Sequence, residues 1–78
     1  MAIRTHSNTT LVRIGSEIRR RRLKLGVSKI ALAAKAGVHA NVVGRTERGV
    51  HNPTILTLDA IAARLNASMV ELLRGALK

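Results

Sequence analysis

The chain has 78 residues, with 14 Lys or Arg against 4 Asp or Glu, a formal net charge of +10, and neither cysteine nor aromatic residues. These numbers exclude a disulfide framework, a cysteine-ligated zinc site, a thiol nucleophile and an aromatic platform for stacking unpaired bases. A hydrophobic share of 46% is too high for a disordered basic tail and suits one small domain, for which a second subunit is a natural source of extra buried surface.

Residues 1–10 are polar, with Thr5, Ser7, Asn8, Thr9 and Thr10 clustered, and read as a flexible arm ahead of a domain over 11–78. The start Met1-Ala2-Ile3-Arg4-Thr5-His6 lacks the apolar stretch of a secretion signal. No apolar run approaches the ~20 residues of a membrane span, so a cytoplasmic address and no membrane partner are expected. From Leu11, apolar residues recur at helical spacing through Ile14, Ile18 and Leu25, with Thr9 or Thr10 as cap and Gly26 as a left-handed stop. Ser28 caps a second helix, Lys29 to Ala36, with Ile30, Leu32, Ala33 and Ala36 as its apolar face and Gly37 as its end. A third helix runs from Ala40 to about Arg48, with His39 at the cap and Gly49 as the stop. Thr54 caps a fourth, whose core stripe is Ile55, Leu58, Ile61, Ala62 and Leu65, and Asn66 is placed to end it in a left-handed conformation. Ser68 and Glu71 have capping-box spacing and open a fifth helix with Leu72 and Leu73 inward. No strand pattern interrupts these five, so the expected fold class is all-α.

The charge is uneven. Residues 1–51 hold eleven basic and two acidic side chains, +9; residues 52–78 hold three and two, +1. One basic end suits a polyanionic partner, nucleic acid or an anionic membrane. Two glutamates, the helix-breaking glycines and the absence of interfacial Trp argue against a single amphipathic membrane helix. A lone Asp59 on a core-forming helix, with no Gly-rich phosphate loop and no nucleophile–base spacing, argues against an enzyme. His39 and His51 lack metal-ligand spacing and an adjoining carboxylate, so neither a metal nor another cofactor is expected.

The second and third helices, joined by a turn at Gly37, form a helix-turn-helix. Ala33 lies where the two cross closely, Gly37 suits positive φ, and Val38 and Val43 are expected between the helices. The outer side of the third helix has the size to enter a DNA major groove.

The stretch from Ile14 to Leu73 resembles the Cro/C1-type, or XRE, family of bacterial and phage repressors. Ile14-Gly15, Ile18-Arg19, Arg22, Gly26-Val27-Ser28, Leu32-Ala33, Gly37-Val38, Glu47-Arg48-Gly49, Asn52-Pro53, Thr57-Leu58, Ile61-Ala62, Leu65 and Ser68 fall in register with that pattern without a gap. Departures are Lys29 for the usual Gln, His39 for Ser or Thr, Thr46 for Ile or Leu, and a mid-helix Gly44. The nearest-looking members are small restriction–modification controller proteins. The resemblance implies a compact five-helix, lambda-repressor-like domain that binds double-stranded DNA as a sequence-specific transcriptional regulator. It also implies that Arg22 and Glu47 pair across the first and third helices, as a structural bond.

On that fold, base readout is expected from Arg45, by its guanidinium on guanine, and from Asn41 on adenine, with phosphate contact or helix capping as the alternatives. Ala40 and Val42 are candidates for a thymine methyl, and Gly44 for letting the helix sit deep. Ser28, Lys29, His39, Arg48, His51 and Asn52 are the expected phosphate contacts. Only one or two of Arg19 to Arg22 can face phosphate, Arg19 or Arg20 among them, because four successive residues point around a helix. Leu56, Met69, Val70, Leu73 and Leu77 suggest a self-complementary patch, hence a homodimer on a palindromic operator that regulates its own gene, with RNA polymerase as a further partner if it activates. The rival reading is the DNA-binding antitoxin of a toxin–antitoxin pair.

Overall fold

A computed structural model describes residues 3–78, and side chains from residue 9 onward. The helices are α1 (Ile3–Leu25), α2 (Lys29–Ala36), α3 (Ala40–Glu47), α4 (Ile55–Arg64) and α5 (Met69–Ala76), and no strand occurs among the described residues. The caps fall where sequence chemistry places them. Ser28, Thr54 and Ser68 each accept a backbone N–H three residues on, and Ser68 and Glu71 complete a reciprocal capping box. His39 caps α3 through its ring, and Arg48 stands at the C-cap. Gly26, Gly37 and Gly49 have φ near +70°, and Asn66 has φ 60°.

Several expectations change. Residues 3–10, read as part of an arm, belong to α1; residues 1–2 lie outside the described residues. Lengthening an anchored helix avoids the nucleation penalty, so polar residues without an apolar period can prolong it. Ile30 and Ile55, expected in the core, are about 70% exposed, Leu25 is exposed, and Val38 is half-buried. Ile30 and Ile55 sit in the first turns of their helices.

The core comprises Ile14, Ile18, Leu32, Ala33, Val43, Leu58, Ile61, Ala62, Leu65 and Leu72. α1 packs against α3 and α5, α2 against α3 and α4, and α4 against α5. α1 is thus the spine, with α3 on one side and α5 on another. Two glycines set those approaches. A Cβ on Gly15 would lie 2.6 Å from the Glu47 carbonyl oxygen and closer still to that of Thr46, so α1 meets the last turn of α3 backbone to backbone. A Cβ on Gly75 would collide with the Glu17 carboxylate. That carboxylate is buried and accepts from Arg20 Nε and Nη2 (3.0 and 2.6 Å) and from Arg21 Nε (2.7 Å). The Arg20 hydrogen bond leads in holding its pKa below the usual glutamate range, against the opposing effect of burial.

Among the described residues, Thr46 carries the one buried side-chain polar atom without a partner. It is 1% exposed and its hydroxyl has no hydrogen-bond partner. Thr46→Val exchanges that hydroxyl for a methyl of nearly the same size. It should therefore raise stability by about 1 kcal/mol, or roughly 4–8 °C in melting temperature. A melting temperature that falls would show that the hydroxyl is satisfied in solution.

Candidate nucleic-acid interface

Arg22 aligns the two helices of the motif. Its Nε and Nη2 donate to Glu47 at 2.6 and 3.1 Å, and its Nη1 donates to the Val27 carbonyl at 2.9 Å. One guanidinium therefore ties α1 to the end of α3 and to the turn that leads into α2. Both partners are buried, and the Glu47 hydrogen bond raises the Arg22 pKa further above its already high value. The expected pair is present, in the geometry of a bidentate fork.

The outer side of this clamp is a groove of about 440 Å³ lined by Lys29, Ile30, Ala40, Asn41, Gly44, Arg45 and Arg48. α2 contributes its first two residues, and α3 with its C-cap Arg48 the rest, while Ala33 and Val43 of the same two helices are buried. Asn41 and Arg45, four residues apart, share one helix face, and both are exposed. Gly44 is buried on the groove floor. A Cβ there would meet only Arg48 Nη1 at 3.6 Å and Lys29 Cδ at 4.0 Å. Three of the lining residues are cations and none is an acid, so the groove attracts anions.

Of the residues expected to touch DNA, the groove collects six: Ala40, Asn41, Gly44, Arg45, Lys29 and Arg48. Ser28 and His39 are exposed beside it as the caps of α2 and α3. His39 Nδ1 accepts the Asn41 N–H at 3.1 Å, which in the neutral ring leaves Nε2–H as a donor. Asn52 is exposed and His51 half-buried in the loop after α3, outside the groove lining. Of the arginine run, Arg20 and Arg21 are engaged with Glu17 and Arg22 with Glu47. Val42 is half-buried and lines no part of the groove.

Sequence reasoning missed Ile30. At 100° per residue it stands about 110° from the line through Leu32, Ala33 and Ala36, so a helical wheel would have turned it out of the core. On the far helices Leu56, Val70 and Leu77 are exposed, whereas Met69 and Leu73 are half-buried against the core. Ile55 joins the exposed apolar set. Among the described residues no helix is long and apolar enough to cross a membrane, and no group of His, Cys, Asp or Glu could hold a metal ion.

A helix-turn-helix family, HTH_3, matches residues 18–72. An HTH-type transcriptional regulator, y4dJ, from Sinorhizobium fredii is 36% identical over 59 residues, which span 76% of this chain and 77% of that protein. Among solved structures, the restriction–modification controller protein C.AhdI from Aeromonas hydrophila superposes with a TM-score of 0.77 at 32% identity, over 80% of this chain and 94% of that one. The clp gene regulator ClgR from Corynebacterium glutamicum superposes at 0.83 with 25% identity, over 86% of this chain and 71% of that one.

Proposed function

Because the chain belongs to the HTH_3 helix-turn-helix family of DNA-binding transcriptional regulators, we propose that it represses or activates transcription in the cytoplasm as a homodimer on a palindromic operator, its own promoter among its targets. The observation that carries this is the acid-free groove holding Asn41 and Arg45 on the outer side of α3, clamped from behind by Arg22 and Glu47. Arg45 reads guanine and Asn41 adenine, with Ala40 beside them and Gly44 keeping the floor low. Lys29 and Arg48 bracket the helix on phosphate, joined by the α2 N-terminus at Ser28 and by His39, His51 and Asn52.

One α3 is only two turns long, about 12 Å, and reads a few base pairs. A twofold pair doubles that reading and spaces the helices one DNA turn apart. Leu56 at 80% and Val70 at 60% exposure supply an apolar surface for the second subunit, with Leu77, Met69 and Leu73 alongside. An operator contacted this way also leaves faces of the dimer open to RNA polymerase.

Selection from a random duplex library, with sedimentation at micromolar concentration, tests the reading. The expected result is a dimer and a selected sequence with twofold symmetry. Arg45→Ala should weaken binding by about 1–3 kcal/mol and relax preference at one base position. Lys29→Ala should weaken all sequences alike and reduce the salt slope by about one. Identical behaviour of the two variants on selected and random DNA would overturn the division of roles, and a strict monomer would remove the palindrome.

A further inference from the structure

We infer that Ile30 is a specificity-determining residue of the groove and contacts the 5-methyl group of a thymine at the edge of the half-site. The inference rests on the DNA-binding reading of the groove and deepens it. Ile30 is 72% exposed and shares one lining with Asn41 and Arg45, so a duplex that occupies the groove covers it. The residues around it are cationic, amide-bearing or small. Lys29 and Arg48 are matched to phosphate and Asn41 and Arg45 to polar base edges, whereas a branched hydrocarbon can pair with neither. In a major groove the apolar feature of a base edge is the thymine methyl. Ala40 is the other apolar group of the lining, half-buried and carrying a single methyl. Ile30 has the longer reach and the larger free surface, and Gly44 between the helices adds no side chain that would stand in the way.

Uracil differs from thymine by that methyl alone. Replacing each thymine of the selected operator in turn by uracil should expose one position per half-site at which the wild-type chain loses about fourfold in affinity, the worth of one buried methyl. Ile30→Ala should show no thymine–uracil difference there while retaining the uracil sensitivity, if any, of every other position. Ile30→Val should keep part of the difference. Because Ile30 contributes nothing to the core, these variants should melt with the wild type. A selected half-site with no preferred thymine, a wild-type chain indifferent to uracil throughout, or a sensitivity that persists undiminished in Ile30→Ala would each overturn the inference while leaving DNA binding intact. Failure of the wild-type chain to bind any duplex would sink the DNA-binding reading itself, and this inference with it.

Discussion

Glu47→Gln lowers the stability of the fold by about 3–5 kcal/mol at neutral pH. A domain of this length has about 4–12 kcal/mol in total, so the loss removes between a quarter and all of it, and at the low end of that range the variant is largely unfolded. The loss is large because glutamine keeps the shape but removes the charge, leaving the Arg22 guanidinium buried with a neutral partner. Arg22 cannot escape by deprotonation, since its pKa is too high, and the Val27 carbonyl still holds it inside. Urea unfolding with an unchanged slope is the measurement. Arg22→Met combined with Glu47→Leu should recover most of the loss, because the double exchange leaves no buried charge behind. The remainder reflects the Val27 carbonyl, which loses its donor. An unchanged midpoint in Glu47→Gln would mean that the pair is solvated and that something else holds α3 to α1.

Gly15→Ala is the second large effect, about 2 kcal/mol destabilising. In isolation the exchange favours a helix by about 1 kcal/mol. Here the new Cβ falls 2.6 Å from the Glu47 carbonyl oxygen and 2.8 Å from its carbonyl carbon. Neither is the end of a flexible side chain, so α3 itself must move, and overpacking of that kind outweighs the propensity gain. Because the displaced atoms belong to the last turn of α3, affinity for the selected operator should fall more than tenfold even where the variant is fully folded. Gly44→Ala, in the same helix, should have the opposite sign on stability. Its Cβ meets only side-chain atoms at ordinary contact distance, so the helix gains about 1 kcal/mol. Thermal unfolding of the two variants side by side separates close approach from helix propensity. Equal shifts would refute the packing of α1 on α3.

The features legible in the sequence were those with local chemistry. Ser28, Thr54 and the Ser68–Glu71 box cap helices through contacts three residues long, and Gly26, Gly37, Gly49 and Asn66 carry their backbone preference with them. The groove was legible to the extent that α3 presents Asn41 and Arg45 on one face. Contacts between distant residues were less so: the burial of Ala33 and Val43 followed from the helix-turn-helix, and Arg22 with Glu47 from the family resemblance. Nothing near Gly15 or Gly75 says that another backbone or a carboxylate passes within touching distance. Nor does the sequence mark Glu17 as the carboxylate that α5 covers and two arginines close over. The start of α1 was hidden because polar residues lengthen a helix that is already nucleated. Ile55 was misplaced because an apolar residue in the first turn of a short helix looks like core whether or not a partner remains opposite it, whereas Ile30 stands off the apolar line of α2 and its angle was the available signal.

Whether the outer side of α3 enters duplex DNA is tested most directly by amide chemical-shift mapping during titration with the selected operator. The largest shifts should fall on residues 40–48 and on Lys29, with Asp59 and Arg64 on α4 little changed. Saturable, sequence-selective binding that leaves the α3 amides still and moves those of α4 or α5 would contradict such entry.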